Sequence, residues 1–181
     1  MLKINSRFFG FTLVELMVVV SVIGILSSIV YANFGGARSA SRDDVRKSAL
    51  KEVQLALELY KAQYGSYPAA GCSVGSGVWA GPGPSGSMPA ASTCSVYIVG
   101  LTPDFIATLP TDPSRESEAG IGYYYQSDGA SYKFINNAIE RKMVSSYEDE
   151  YARCPSQGGG CTAGTPPAGE YSVYSSGGAQ W

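Results

Sequence analysis

Glu15 is the residue of this chain whose chemistry most needs explaining. It stands in RFFGFTLVELMVVVSVIGIL (residues 7–26) and is the one charged residue between Phe11 and Val30. A lone carboxylate inside a membrane helix costs on the order of 2.5–3.5 kcal/mol unless something pairs with it. The sequence can supply a cation in one way. A cut after Gly10 would free the α-amine of Phe11, four residues before Glu15 and so one helical turn away. Within one helix the two groups meet imperfectly. Between helices packed side by side, each Glu15 can meet the next chain's amine and fix their stagger. The chemistry expected of Gly10, Phe11 and Glu15 is therefore cleavage followed by charge pairing in an assembly.

Little else points to catalysis. The chain of 181 residues has no histidine, so it lacks the commonest general base and a frequent metal ligand. Cys72, Cys94, Cys154 and Cys161 match no zinc spacing. In an exported chain, four cysteines in Gly/Pro/Ser-rich surroundings read as two disulfides. Of the three connectivities, Cys72–Cys94 with Cys154–Cys161 closes compact local loops; four reduced thiols in a cytosolic domain is the alternative. Asp104, Asp112, Glu116 and Glu118 are a candidate acidic site, though Asp104 reads more simply as an early-turn helix acid. The thirteen tyrosines fit a stacking or sugar-binding surface, but at strand spacing they are more often the packed faces of a sheet. GPGPSGS lacks the Gly-Lys-Ser/Thr that a phosphate-cradling loop needs. A net charge of −2 without an Arg/Lys stripe argues against nucleic acid as a partner. The sequence thus predicts no catalytic residue, no metal site and no cofactor.

The elements that must position Glu15 begin with the helix itself. Phe11–Val30 is long enough to cross a hydrocarbon core of roughly 30 Å, and Lys3 and Arg7 before it place the N-terminus on the cytoplasmic side. No proline occurs from Phe11 to Tyr67, and SRDDVRKSALKEVQLALELYKAQYG is rich in helix formers, so one helix of about 80 Å is predicted over 11–64. Val45, Ala49, Val53, Ala56, Leu57, Tyr60 and Tyr64 form its apolar stripe. Gly65 and Pro68 end it, and Gly35-Gly36 is where a bend or local melting is expected. Residues 65–96 turn to Gly, Ser, Pro and Ala, a long loop with cysteines toward its two ends. GLTPDFIATLP reads as a short helix with Thr102 as N-cap and Pro110 as stop. GYYYQSDGASYKFIN reads as a hairpin about Asp128-Gly129, and GEYSVYSS (169–176) as a third strand. The segment NNAIERKMVSSYEDEYARC fits either a helix or an irregular excursion.

The basic leader, the junction of Gly10 with FTLVEL, the glutamate five positions after it and the long apolar helix together resemble the class III signal of type IV pilins and type II secretion pseudopilins. ALELYKAQYGSYP continues the likeness less tightly, and LPTDPS followed by YYYQSDGASYKF is similar to the head of the major-pseudopilin-like branch. The loop 65–96 and the tail after Ile139 have no counterpart. The resemblance implies an α+β, type IV pilin-like fold, a long N-terminal helix packed on a small antiparallel sheet with disulfide-stapled loops. Residues 1–10 would be the leader, 11–64 the helix (11–34 hydrophobic and transmembrane before assembly) and 65–181 the globular head. It further implies a prepilin peptidase cutting between Gly10 and Phe11, N-methylation of Phe11, and Glu15 as the assembly carboxylate. A single-pass precursor in the inner (cytoplasmic) membrane would pass, through an assembly platform and a cytoplasmic ATPase, into a helical homopolymer that is extracellular or periplasmic. Two departures matter. Ala32 stands where many relatives carry a kinking proline. No aspartate follows Asp149 and Glu170 is the only later acid, so the calcium site of many major pseudopilins is not carried over.

Two other readings of the N-terminus stand beside this one. VYA (30–32) satisfies the small-residue rule of leader peptidase and would give a mature start at Asn33, but the acid and the length of the apolar run are unusual for that signal. A membrane-anchored binding module that stays monomeric would leave Glu15 without its partner. An exported enzyme would need a constellation that the sequence does not offer.

Overall fold

A computed structural model of the chain describes residues 11–71, 79–81, 96–114, 122–137, 144, 147–154 and 170–181, with side chains omitted at 29, 30, 32, 33 and 180. The chain divides into two units, Met1–Arg38 and Ser39–Trp181. One helix, α1 (Leu13–Tyr64), contributes to both. Three strands follow, β1 (Tyr123–Ser127), β2 (Tyr132–Asn136) and β3 (Tyr171–Tyr174), then a 3-10 turn over Ser176–Gln180. The architecture is the α+β arrangement predicted, with a long N-terminal helix and a small antiparallel sheet.

In the first unit the described apolar side chains of α1, among them Leu13, Val14, Leu16 and Met17, are exposed, and Phe11 just ahead of it is 82% exposed. Among the described residues no helix is long and apolar enough to cross a membrane. Gly35 and Gly36 are helical, so the melting expected there is absent from this structure.

In the second unit α1 ends as its sequence dictates. Gly65 adopts φ +79° and its N–H donates to Lys61 O at 2.8 Å, the left-handed close that glycine makes without steric cost. The buried face is Asp43, Arg46, Leu50, Val53, Ala56 and Leu57. The predicted stripe was misplaced at both ends: Val45 is 51% and Tyr64 55% exposed, and Leu50 belongs inside. The error is physical in origin, because the true face opens with two charged residues that a hydrophobic periodicity passes over.

The sheet runs in the order β1-β2-β3, all antiparallel, with Tyr125 opposite Phe134 and Phe134 opposite Val173. One face, Tyr123, Tyr125, Tyr132, Phe134 and Val173, shares the core with Leu50, Val53 and Leu57 of α1. The tyrosines are packing residues here, with Tyr123 stacked on Phe134 at 5.4 Å and Tyr67 edge-on to Tyr132 at 4.6 Å. The back face, Tyr124, Lys133, Ile135 and Ser172, is buried too. Ser172 Oγ donates to Ala152 O there, and Gly81 lies against the Tyr124 ring so closely that a methyl would come within 2.2 Å of it. Both outer edges are blunted. Ala80 exchanges two 2.8 Å hydrogen bonds with Tyr125, and Ser172 N–H donates to Tyr151 O.

Two local expectations change. The hairpin closes through four residues, Asp128–Ser131, not two. Asp128 Oδ1 accepts the N–H groups of Ala130 and Ser131, and Gly129 sits at φ +85°. The segment after Leu101 is no helix: the N–H groups of Phe105 and Ile106 both donate to Leu101 O, making one turn that is not propagated. It nonetheless buries Ile106. Residues 147–151 form turns, which decides part of the undecided segment in favour of irregular structure.

Candidate functional site: a capped helix start and a buried ion network

Glu15 is the third helical residue of α1, and Thr12 is its N-cap. Glu15 N–H donates to Thr12 Oγ1 at 3.2 Å. The carboxylate in turn accepts the Thr12 hydroxyl at 3.3 Å and the Thr12 N–H at 3.4 Å. This is a reciprocal capping box, in which two otherwise unsatisfied helix donors find partners. The T-x-x-E spacing was there to be read as a helix start, and the charge argument alone passed over it. Glu15 is exposed, and its described partners are the two groups on Thr12. Phe11 is exposed just ahead of it. Gly10 lies outside the described residues.

The four cysteines are described only in part. Cys154 is buried and not a free thiol, whereas Cys72, Cys94 and Cys161 lie outside the described residues, as does the pairing expected of them. The acidic candidates do not meet as one site. Asp104 is exposed, Asp112 is buried, and Glu116 and Glu118 lie outside the described residues. Among the described residues no group of three acids or cysteines could hold a metal ion.

Asp112 is instead half of an ion pair. Arg46 Nε and Nη2 donate to its two oxygens at 2.8 and 3.0 Å, the bidentate geometry that matches guanidinium to carboxylate. Arg46 Nη1 donates to Asp43 at 2.7 Å and Nη2 also to Ser114 Oγ at 2.7 Å. Asn136 Nδ2 and Ser114 N–H complete Asp112 at 2.7 and 2.8 Å. Both side chains of the Arg46–Asp112 pair are fully buried. Burial alone raises the Asp112 pKa, but hydrogen bonds from Arg46, Asn136 and Ser114 together with the guanidinium charge outweigh it and hold the carboxyl below its ordinary value. The network ties the turn of α1 that carries Asp43 and Arg46 to the LPTDPS loop and to β2. Sequence reasoning had offered Asp112 as one of four acids of a possible site and gave Arg46 no part in it. The signal was an Arg three residues after an Asp on the helix face that enters the core.

The helix start and its flanks coincide with a recognised family feature. Residues 5–31 match the prokaryotic N-terminal methylation motif. That match and the relatives that follow make the N-terminal part of the chain similar to pilins and pseudopilins. It is 37% identical over 59 residues to the type II secretion system core protein G of Pseudomonas aeruginosa, covering 33% of this chain and 42% of that protein. It is 37% identical over 65 residues to the type IV major pilin protein PilA of Myxococcus xanthus, covering 36% of this chain and 30% of that one. The core protein G of Aeromonas hydrophila is likewise 37% identical over 59 residues. The chain thus spans less than half the length of these relatives. No solved structure matches it.

Proposed function

We propose that the protein is a structural subunit of a helical filament, a type IV pilus or a secretion pseudopilus, and not an enzyme. A prepilin peptidase cuts it between Gly10 and Phe11 and methylates the Phe11 amine. The precursor rests in the inner membrane with its N-terminus in the cytoplasm, and an assembly platform draws it into a filament outside that membrane. The observation that carries this reading is the methylation motif over residues 5–31 joined to an α1 whose first half exposes apolar side chains with a single acid among them. Such a surface needs lipid or neighbouring helices around it. The resemblance to core protein G and to PilA supports the same class.

The capping box sharpens the role of Glu15. Its carboxylate already has Thr12 within its own helix, so in the filament it meets the neighbouring Phe11 amine with its remaining acceptor capacity. Glu15→Gln separates the two functions, since glutamine also serves at this capping position but carries no charge. We expect protein isolated from its own host to start at methylated Phe11. We expect the Glu15→Gln variant to be cut at the same bond and to fail to form filaments. A start at Asn33 or an uncut Met1 in a host with active prepilin peptidase would refute the cleavage. Normal filaments from the glutamine variant would refute the charge pairing.

A further inference from the structure

The apolar surface of α1 ends on two aromatic rings and a cation. Tyr31 is 83% and Phe34 51% exposed, and Arg38 is exposed beyond them. Spacings of three and four residues put Tyr31, Phe34 and Arg38 on one face of the helix, with Ile23 and Ser27 behind them. Ile23, Leu26, Ser27, Tyr31 and Phe34 line an open, largely apolar groove. All of these residues lie in the first unit.

The basic residues that follow the apolar run differ in what holds them. Arg46 is enclosed by Asp43 and Asp112, and Lys47 Nζ lies over the Tyr151 and Tyr171 rings at 5.5 and 5.4 Å. Arg42 is half-buried. Arg38 has no partner among the described residues. In the membrane precursor proposed above, on which this inference rests, Arg38 also stands on the outer side, where an excess of cations is not expected. Phe34 follows Leu13 by 21 residues, about 30 Å along a helix and so one hydrocarbon thickness. Tyr31 then lies at the interface, where tyrosine rings settle, and Arg38 about 6 Å past Phe34, at headgroup depth.

We propose that this face of α1 binds one anionic phospholipid of the outer leaflet of that membrane, with an acyl chain in the groove from Ile23 to Phe34 and the headgroup phosphate on Arg38. The groove runs about 16 Å along the helix, the acyl depth of one leaflet, and it leads straight to the cation. A carboxylate of a second chain would neutralise Arg38 equally well but would leave the groove unfilled. A ligand that is apolar at one end and anionic at the other answers both. The guanidinium presents paired N–H donors that match two phosphate oxygens. Entry into a filament requires that lipid to leave, so the site holds the precursor in the membrane.

Native mass spectrometry of the full chain released from detergent micelles tests this, with phosphatidylglycerol or phosphatidylcholine added. Arg38→Gln should weaken binding of phosphatidylglycerol about fivefold, the effect of one basic residue at an anionic surface, and leave phosphatidylcholine unchanged. Lys61→Gln, in the last turn of α1, should change neither. Phe34→Ala removes a wall of the groove and no charge, so it should weaken both lipids. Inorganic phosphate should not displace the bound lipid. Phosphatidylglycerol binding that survives Arg38→Gln intact, or displacement by inorganic phosphate at the lipid's own concentration, would overturn the site. Alkaline extraction from phosphatidylcholine vesicles separates the two readings. A chain that washes off refutes the membrane precursor and the site with it, whereas one that stays in without an Arg38-dependent lipid refutes the site alone.

Discussion

At the scale of single residues, the head is specified as much by charge as by hydrophobicity. Arg46 is surrounded by Asp43, Asp112 and Ser114, and Asp112 by Arg46, Asn136 and the Ser114 N–H, so each polar group of the pair is satisfied without water. Removing one partner leaves an uncompensated buried charge, which costs more than the pair itself contributes. Arg46→Met should destabilise the head by about 3–5 kcal/mol in chemical denaturation, more than the loss of a surface ion pair such as Lys51–Glu150. The depressed Asp112 carboxyl adds a pH signature. Its contribution is present above the unfolded value of about 3.9 and disappears as pH falls through the lower folded value, so acid should destabilise the wild type through this group. Asp112→Asn should lose that part of the acid dependence in unfolding measured from pH 6 to pH 2. This network was the least legible part of the sequence, because its members are 66 residues apart and charged residues are not sought on a buried face.

At the scale of elements, the sequence was readable wherever one local rule acted alone. Gly65 and Pro68 ended α1, Tyr-rich runs about Asp128-Gly129 made the hairpin, and alternation over 169–176 made β3. It failed where tertiary contacts decided. Leu101–Pro110 carries a helix's start and stop signals, yet it stays a single turn that buries Ile106, with the Tyr97 hydroxyl donating to Pro110 O. The glycine at the end of α1 offers a clean test of local dictation. At Gly65 there is open space around an added methyl, so only the positive φ opposes a side chain. Gly65→Ala should therefore cost about 1 kcal/mol in thermal unfolding while leaving the fold unchanged. Gly178→Ala differs, because backbone atoms of β2 occupy the place of the methyl. There the 3-10 turn over Ser176–Gln180 must itself shift, and exchange at the Gly178 and Trp181 amides should quicken while that of the hairpin does not.

At the scale of the whole molecule, the two units obey different solvents. Every buried side chain described in the core belongs to residues from Asp43 onward, whereas the described side chains of α1 up to Phe34 are exposed and mostly apolar. The head therefore owes its core to residues that follow Arg38, and the first unit owes its stability to surroundings that this single chain does not provide. A chain beginning at Ser39 keeps the Asp43–Arg46–Asp112 network, the face from Leu50 to Leu57 and all three strands. It also places Asp43 and Asp44 in the first turns of the shortened helix, where carboxylates favour the N-terminal dipole. That fragment should be soluble without detergent and unfold cooperatively, with Tm within about 4 °C of the head in the full-length protein, a shift that corresponds to no more than roughly 1 kcal/mol for a domain of this size. Calorimetry on both proteins checks it. A fragment that melts without cooperativity would mean that residues before Ser39 help to hold the head together, and the division of labour within α1 would have to be redrawn.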